Sequence, residues 1–227
     1  MIHVILNILI IMRCAIFYSG QFRSLDKCYN NHLQNIFSKF KNYDVFADIE
    51  VSKDIDLYKN FIENNIQNIK KFSIYTEPSP VHSVSIRPQN LRGEISTWLR
   101  QLKSIRDSLS LCENINDYDI AIRIRTDSLF DRYLENLEDL DLNNIYIPNH
   151  DNWGGYNDRF AIGNVLNMKK YLSFYDAVPL FGGLVKGNAE GYLKYYIDEY
   201  CKIPVKRTNI VGQTMREDES LVEIFFN

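Results

Sequence analysis

The stretch Tyr118-Asp119-Ile120-Ala121-Ile122-Arg123-Ile124-Arg125-Thr126-Asp127-Ser128-Leu129-Phe130 decides how the chain is read. Its apolar positions suit a buried strand, yet two arginines interrupt them and an aspartate follows. Successive side chains on a strand point to opposite faces. Ala121, Arg123, Arg125 and Asp127 therefore share one face, and Ile120, Ile122 and Ile124 take the other. Charges on an inner strand are costly unless they meet a partner, a ligand or a cleft. Two cations and a carboxylate aimed at one place suit a polyanion together with a metal. The competing reading is that the arginines pair with Asp or Glu of neighbouring elements.

Outward from this strand the pattern alternates. Upstream, Arg13–Ser19 is an apolar run ending at Gly20, as a buried strand would. Helical spacing follows over Leu25–Phe40, with Ser24 as N-cap. Strands are expected at Tyr43–Ile49 and Lys71–Tyr75, with a helix over Asp56–Ile69 between them. Glu77–Arg92 is proline-bearing and aperiodic, which suits a functional loop. Ser96–Leu111 returns to helical spacing through Trp98, Leu99, Leu102, Ile105 and Leu109. Downstream, the spacing predicts a helix over Leu129–Leu140, a strand at Asn144–Pro148 and a short extended piece at Phe160–Gly163. Helices are expected at Asn164–Tyr175 and Ala189–Tyr200, a late strand at Ile203–Val205, and an apolar tail, Leu221–Phe226, at a sheet edge. Alternating strands and helices with buried strands mean an α/β fold, a Rossmann-like, mostly parallel sheet flanked by helices. Ligands of such sheets bind outside the carboxyl ends of the strands.

The chain has 227 residues, 45% hydrophobic and 24% charged, enough for one domain with a full core, taken as residues 12–227. A net charge of -3 argues against a general nucleic-acid binder. Cys14, Cys28, Cys112 and Cys201 have no close spacing, so zinc is not expected. Residues 1–11 are apolar but too short to span a bilayer, and they lack the basic start and cleavage site of a signal peptide. They are expected to be a dispensable extension, with weak membrane-surface contact as the alternative.

Three constellations fall at strand ends. In Ser19-Gly20-Gln21-Phe22-Arg23, Gly20 permits close approach of backbone to ligand, the next helix offers N–H groups to a phosphate, and Arg23 adds a charge-assisted contact. An ordinary turn with a solvated arginine is the alternative. Neither G-x-G-x-x-G nor a P-loop occurs, which disfavours standard dinucleotide and P-loop enzymes. In Arg125-Thr126-Asp127, the carboxylate could hold Mg²⁺ or Mn²⁺, hard ions that bridge to phosphates, while Arg123 and Arg125 hold a diphosphate. A structural Arg–Asp pair is the alternative. In Trp153-Gly154-Gly155-Tyr156-Asn157-Asp158-Arg159-Phe160, Trp153 and Tyr156 offer flat faces to a sugar or base, and Asp158 could act as a general base. A turn in which Asp158 caps a helix or pairs with Arg159 is the alternative. His150 is read as a solvated loop histidine, and the stripe Tyr192, Tyr195, Tyr196, Tyr200 as packing.

In this order the three motifs resemble the small glycosyltransferases of GT-A fold found in viral and bacterial polysaccharide assembly. The resemblance runs from Met12 to about Arg216. It implies a nucleotide-sugar donor, with a UDP-sugar as first choice, a divalent metal (Mn²⁺ or Mg²⁺), and a glycan or lipid-linked glycan acceptor. Ser19, Gly20, Gln21 and Arg23 match the nucleotide-facing loop. Arg125-Thr126-Asp127 stands where the class has Asp-x-Asp, so only the second aspartate, Asp127, is present for metal. Asp158 matches the loop facing donor sugar or acceptor, with Trp153, Gly155, Tyr156, Asn157 and Arg159 around it. No nucleic-acid partner and no stable transmembrane span are expected, and the location implied is cytoplasmic or peripheral at a membrane. Two other readings stand beside this one. The first is a nucleotidyltransferase or other phosphate-handling enzyme. The second is an inactive carbohydrate-binding or scaffold domain, which the missing first aspartate favours.

Overall fold

The computed structural model describes residues 12–76, 81, 95–134, 139–181, 188–210 and 212–216. In chain order they form β1 (Arg13–Gln21), α1 (Leu25–Asn35), β2 (Asn42–Glu50), α2 (Ile55–Asn65), β3 (Ile69–Tyr75), α3 (Ile95–Ser110), β4 (Ile120–Arg125) and β5 (Ser128–Phe130). Then come β6 (Ile145–Pro148), β7 (Phe160–Asn164), α4 (Val165–Leu172), α5 (Phe174–Phe181), α6 (Ala189–Tyr195), β8 (Val205–Thr208) and β9 (Gly212–Thr214). One seven-stranded sheet has the order β3-β2-β1-β4-β7-β6-β8, and β5 pairs with β9 apart from it. All strands of the large sheet share one direction except β7, which is antiparallel to both β4 and β6.

The alternation expected of β4 holds. Ile120, Ile122 and Ile124 enter a core with Cys14, Ile16 and Tyr18 under α1. Ala121 joins the opposite core, where Ala15, Phe17 and Phe46 meet Trp98, Leu99, Leu102 and Ile105 of α3. Both faces of the central strands are thus covered, as a parallel sheet requires. The cysteines are free, and Cys14 is a fully buried small hydrophobe. No helix among the described residues is long and apolar enough to cross a membrane.

Several local expectations give way to tertiary pairing. The helix expected over Leu129–Leu140 does not start at Leu129. Ser128–Phe130 is a strand against Gly212–Thr214, and the Asn31 side chain of α1 binds the Phe130 backbone on both sides, accepting from its N–H at 2.8 Å and donating to its carbonyl at 3.0 Å. The helix expected over Asn164–Tyr175 is two helices, α4 and α5, broken at Ser173. The one expected over Ala189–Tyr200 changes after Tyr195 into a π-helical turn, Tyr196–Cys201. Most of the aperiodic stretch Glu77–Arg92, the glycines Gly182, Gly183 and Gly187, and the tail Leu221–Phe226 lie outside the described residues.

Candidate functional site: a cation-lined cleft at the switch point

From β1 the chain winds outward through β2 to β3, then returns through α3 to place β4 on the other side of β1. The sheet therefore changes winding direction between β1 and β4, where open α/β sheets form a crevice at the carboxyl ends of their strands. A cleft of about 180 Å³ lies there. Ser19, Gly20, Gln21 and Arg23 line it from the end of β1, and Arg123, Arg125 and Asp127 from the end of β4. The first two sequence constellations, Ser19–Arg23 and Arg125–Asp127, are thus one site.

In-register pairing builds the floor. Asp48, Ser19 and Arg125 are neighbours across β2, β1 and β4, and Phe46, Phe17 and Arg123 form an earlier row. Gly20 has φ of +121°, a conformation only glycine adopts without strain. Its N–H donates to Ser104 Oγ of α3 at 3.1 Å, and that hydroxyl donates to the Asp48 carbonyl at 2.9 Å. One buried serine thus ties the ends of β1 and β2 to the helix above them. The Ser24 hydroxyl, expected as an N-cap, donates instead to the Met215 carbonyl. The Leu25 amide donates to Phe22 O, so this part of the site relies less on backbone than on side chains.

The side chains are mainly guanidiniums. Arg125 and Arg23 both address Asp127, which is 2% exposed. Arg125 Nε stands 2.7 Å from Oδ1, Arg125 Nη2 donates to Oδ2 at 3.1 Å, and Arg23 Nη1 donates to Oδ2 at 3.3 Å. Burial opposes the charge of Arg125, and Asp127 with Asp158 more than restores it. Arg123 is 0% exposed. Its Nη1 donates to the Asp158 carbonyl, while its Nε and Nη2 have no hydrogen-bond partner. Burial pushes its pKa down, with the Asp158 carboxylate acting the other way. The Ser19 hydroxyl, also fully buried, has no partner either.

Sequence reasoning missed the opposite wall. Thr97, Arg100, Gln101 and Ser104 of α3 face the cleft, together with Glu50 and Tyr75 from the ends of β2 and β3. A signal was present: those four α3 residues recur at i, i+3, i+4 and i+7, a polar stripe beside the apolar one. Tyr75 donates to the Asp48 carboxylate at 2.9 Å, and burial pushes the Asp48 carboxyl up to about 6, with Ser104 and Tyr75 acting against that rise. Four guanidiniums and two carboxylates line the cleft.

The third constellation stands behind this wall. The Asp158 carboxylate accepts from the Gln101 amide, so it meets the cleft through that side chain. None of Trp153, Gly155, Tyr156, Asn157 and Arg159 lines the cleft. Tyr156 is buried, donates to Asp198 at 2.7 Å, and has Arg207 and Lys194 over its ring at 4.5 and 5.0 Å. Its faces serve packing. Asn157 donates to the His150 carbonyl and accepts from the Arg159 amide, and Arg159 pairs with Asp151. Gly155 packs so closely on α6 that a Cβ there would overlap the Glu190 backbone. Trp153 is 62% exposed. His150 is buried, not solvated, with Nε2 against the Gly212 backbone. Glu190, which sequence reasoning did not single out, has its carboxyl pushed up to about 7 by burial and by Asp158.

Asp127 does not fit a divalent cation as it stands. Such ions take several oxygen ligands, whereas both oxygens of this carboxylate face guanidiniums. Among the described residues no group of three or more His, Cys, Asp or Glu could hold a metal.

A family model described as "Domain of unknown function (DUF7796)" matches residues 10–194. No curated protein sequence matches the chain.

Proposed function

We propose that this chain, which belongs to the DUF7796 family, is a glycosyltransferase that moves a sugar from a nucleotide-diphosphate donor to a hydroxyl of a glycan or glycolipid. One observation carries the reading: a fully buried arginine, Arg123, holds two unpartnered nitrogens beside a cation-rich cleft at the switch point of the sheet. Buried donors without acceptors are rare and costly, and a bound anion would satisfy them. The cleft is smaller than the roughly 300–1,000 Å³ of whole-ligand sites. The described walls therefore enclose one end of such a ligand, and their charge selects the phosphate end. The resemblance of the strand-end motifs to GT-A glycosyltransferases supports the same choice.

In such a transfer the bond from the sugar's anomeric carbon to the diphosphate oxygen breaks, and a bond to the acceptor oxygen forms. The nucleoside diphosphate leaves with an added negative charge. Arg23, Arg123 and Arg125 are preorganised donors where that charge develops. If configuration inverts, the acceptor hydroxyl must lose a proton, and Asp158 is the candidate to take it. If configuration is retained, Asp158 orients substrate through Gln101.

The test is calorimetry with UDP-, GDP- and dTDP-sugars, with a CMP-sugar, which carries no diphosphate, as the control, followed by product analysis with the diphosphate donor that binds. Release of a nucleoside diphosphate together with a new glycoside is the expected result. Pyrophosphate or a sugar phosphate as product replaces the reading with nucleotidyl or phosphoryl transfer. A binding domain without turnover is a second reading, favoured by the engagement of both candidate carboxylates, Asp127 by arginines and Asp158 by Gln101. Tight nucleotide binding with no product identifies it.

A further inference from the structure

We infer that the cleft binds a diphosphate without a divalent cation, the guanidiniums of Arg23, Arg123 and Arg125 supplying the positive charge and Asp127 serving as their internal counterion. The identity of the donor rests on the transferase reading; the anion chemistry rests on the cleft itself.

Asp127 is placed where a metal ligand would stand, but its surroundings are those of a counterion. A cation beside its carboxylate would have to displace Arg125 from 2.7 Å and Arg23 from 3.3 Å. These are charge-assisted contacts, among the stronger kinds in proteins. Of the buried polar groups nearby without a hydrogen-bond partner, the Arg123 nitrogens lack acceptors, while Asp127 Oδ1 keeps its ion-pair contact with Arg125 Nε at 2.7 Å. Arg123 Nε and Nη2 are buried without a partner, as is Ser19 Oγ, whose residue stands in register with Arg125. A metal offers nothing to an N–H group, whereas a phosphate oxygen satisfies it. The lining carries four guanidiniums and two carboxylates, leaving about two positive charges, the number that balances the two phosphodiester charges of a nucleotide-diphosphate sugar. The balance is complete without a metal.

This arrangement inverts the expected effect of a substitution. If Asp127 held a metal, Asp127→Asn would abolish anion binding. If Asp127 competes with the ligand for Arg125 and Arg23, Asp127→Asn removes the competitor and binding tightens. The partner test is Arg23→Gln, at a side chain 41% exposed and so little needed for folding.

The experiment is calorimetry with inorganic pyrophosphate and with UDP, each in EDTA and in Mn²⁺, on the wild-type chain and both variants, with thermal melts to verify folding. The inference expects binding in EDTA that falls with added salt. It expects tightening on the order of tenfold in Asp127→Asn and weakening on the order of tenfold in Arg23→Gln. Binding that requires Mn²⁺ and disappears in Asp127→Asn overturns the inference and leaves the transferase reading intact. No binding of either probe under either condition overturns both. Should Asp127→Asn fail to fold, Arg23→Gln decides: unchanged affinity in EDTA overturns the inference, and weakened affinity supports it.

Discussion

Arg123 is buried with one backbone carbonyl, that of Asp158, as its hydrogen-bond partner, and two guanidinium nitrogens stay unsatisfied on a central strand. A buried charge so poorly matched costs stability, and replacing even a paired set of buried charges with well-packed apolar residues of similar volume is often neutral or stabilising by about 1–4 kcal/mol. Arg123→Met should therefore leave the melting temperature unchanged or raise it by a few degrees, while diphosphate binding is lost. A large fall in melting temperature would make Arg123 a structural residue and remove the main support for an anion site. Asp158 poses a different question, because its carboxylate meets the cleft through Gln101. As proton acceptor it should lose about 10²–10⁴ of turnover on change to Asn, the usual span of acid–base contributions, with donor affinity kept. If Asp158→Asn alters donor affinity and turnover alike, the residue only holds Gln101 in position. The facing of Arg123 and Arg125 was legible from strand alternation alone. The role of Tyr156 was not, because the cations over its ring come from residues 38 and 51 positions downstream.

Helix α3 and the loop before β7 show what elements add. The apolar stripe of α3 could be read from the sequence, and it does face the core. The polar stripe Thr97, Arg100, Gln101, Ser104 was equally present, but a polar helix face ordinarily meets solvent. Only the topology, which lays α3 across the ends of β1 and β2, makes it a cleft wall. The strand Ser128–Phe130 was illegible for a related reason: its partner strand, Gly212–Thr214, is distant in sequence, and local periodicity carries no trace of that pairing. The glycines near Trp153 were read as a sugar-facing loop, and packing gives one of them another cause. A Cβ at Gly155 overlaps the Glu190 backbone, whereas a Cβ at Gly154 meets nothing within 4 Å and only its φ of +82° resists substitution. Gly154→Ala should thus cost about 1–2 kcal/mol for the left-handed backbone. Gly155→Ala should cost about 1–3 kcal/mol or more through overpacking and displacement of α6. Urea melts of the two variants check the order; equal losses would show that the loop yields and does not fix α6.

Across the whole molecule the α/β class and the sheet's predominant direction were legible, because buried parallel strands are nearly continuous apolar runs. The antiparallel β7 was not, since Phe160–Asn164 has the same composition whichever way it runs. One buried titratable group reports on how the halves of the fold are joined. His32 of α1 accepts at Nδ1 from the Tyr18 hydroxyl of β1 at 2.6 Å and donates from Nε2 to the Ser128 carbonyl at 2.5 Å, assigning the neutral tautomer that satisfies both. It thereby links β1 and α1 to the segment just after Asp127. Burial is the main cause that pushes its pKa down, to about 4, from an ordinary value of 6.5. The unfolded chain then binds more protons between pH 6.5 and about 4, so the stability due to neutral His32 is present above pH 6.5 and is lost as pH falls through that window. Asp48, pushed up to about 6, and Glu190, pushed up to about 7, act with the opposite sign, each losing stability as pH rises above its unfolded value and through its folded one. The wild-type curve alone would therefore hide the histidine, and the difference from His32→Gln isolates it. The variant should be less stable than wild type at pH 7.5 through lost packing and hydrogen bonds. The gap should narrow by about 2 kcal/mol by pH 5, since only the wild type then has an imidazole that must stay neutral to remain buried. Parallel stability curves for the two proteins from pH 7.5 to 5 would mean that His32 keeps an ordinary pKa and that water reaches the junction between α1 and the end of β4.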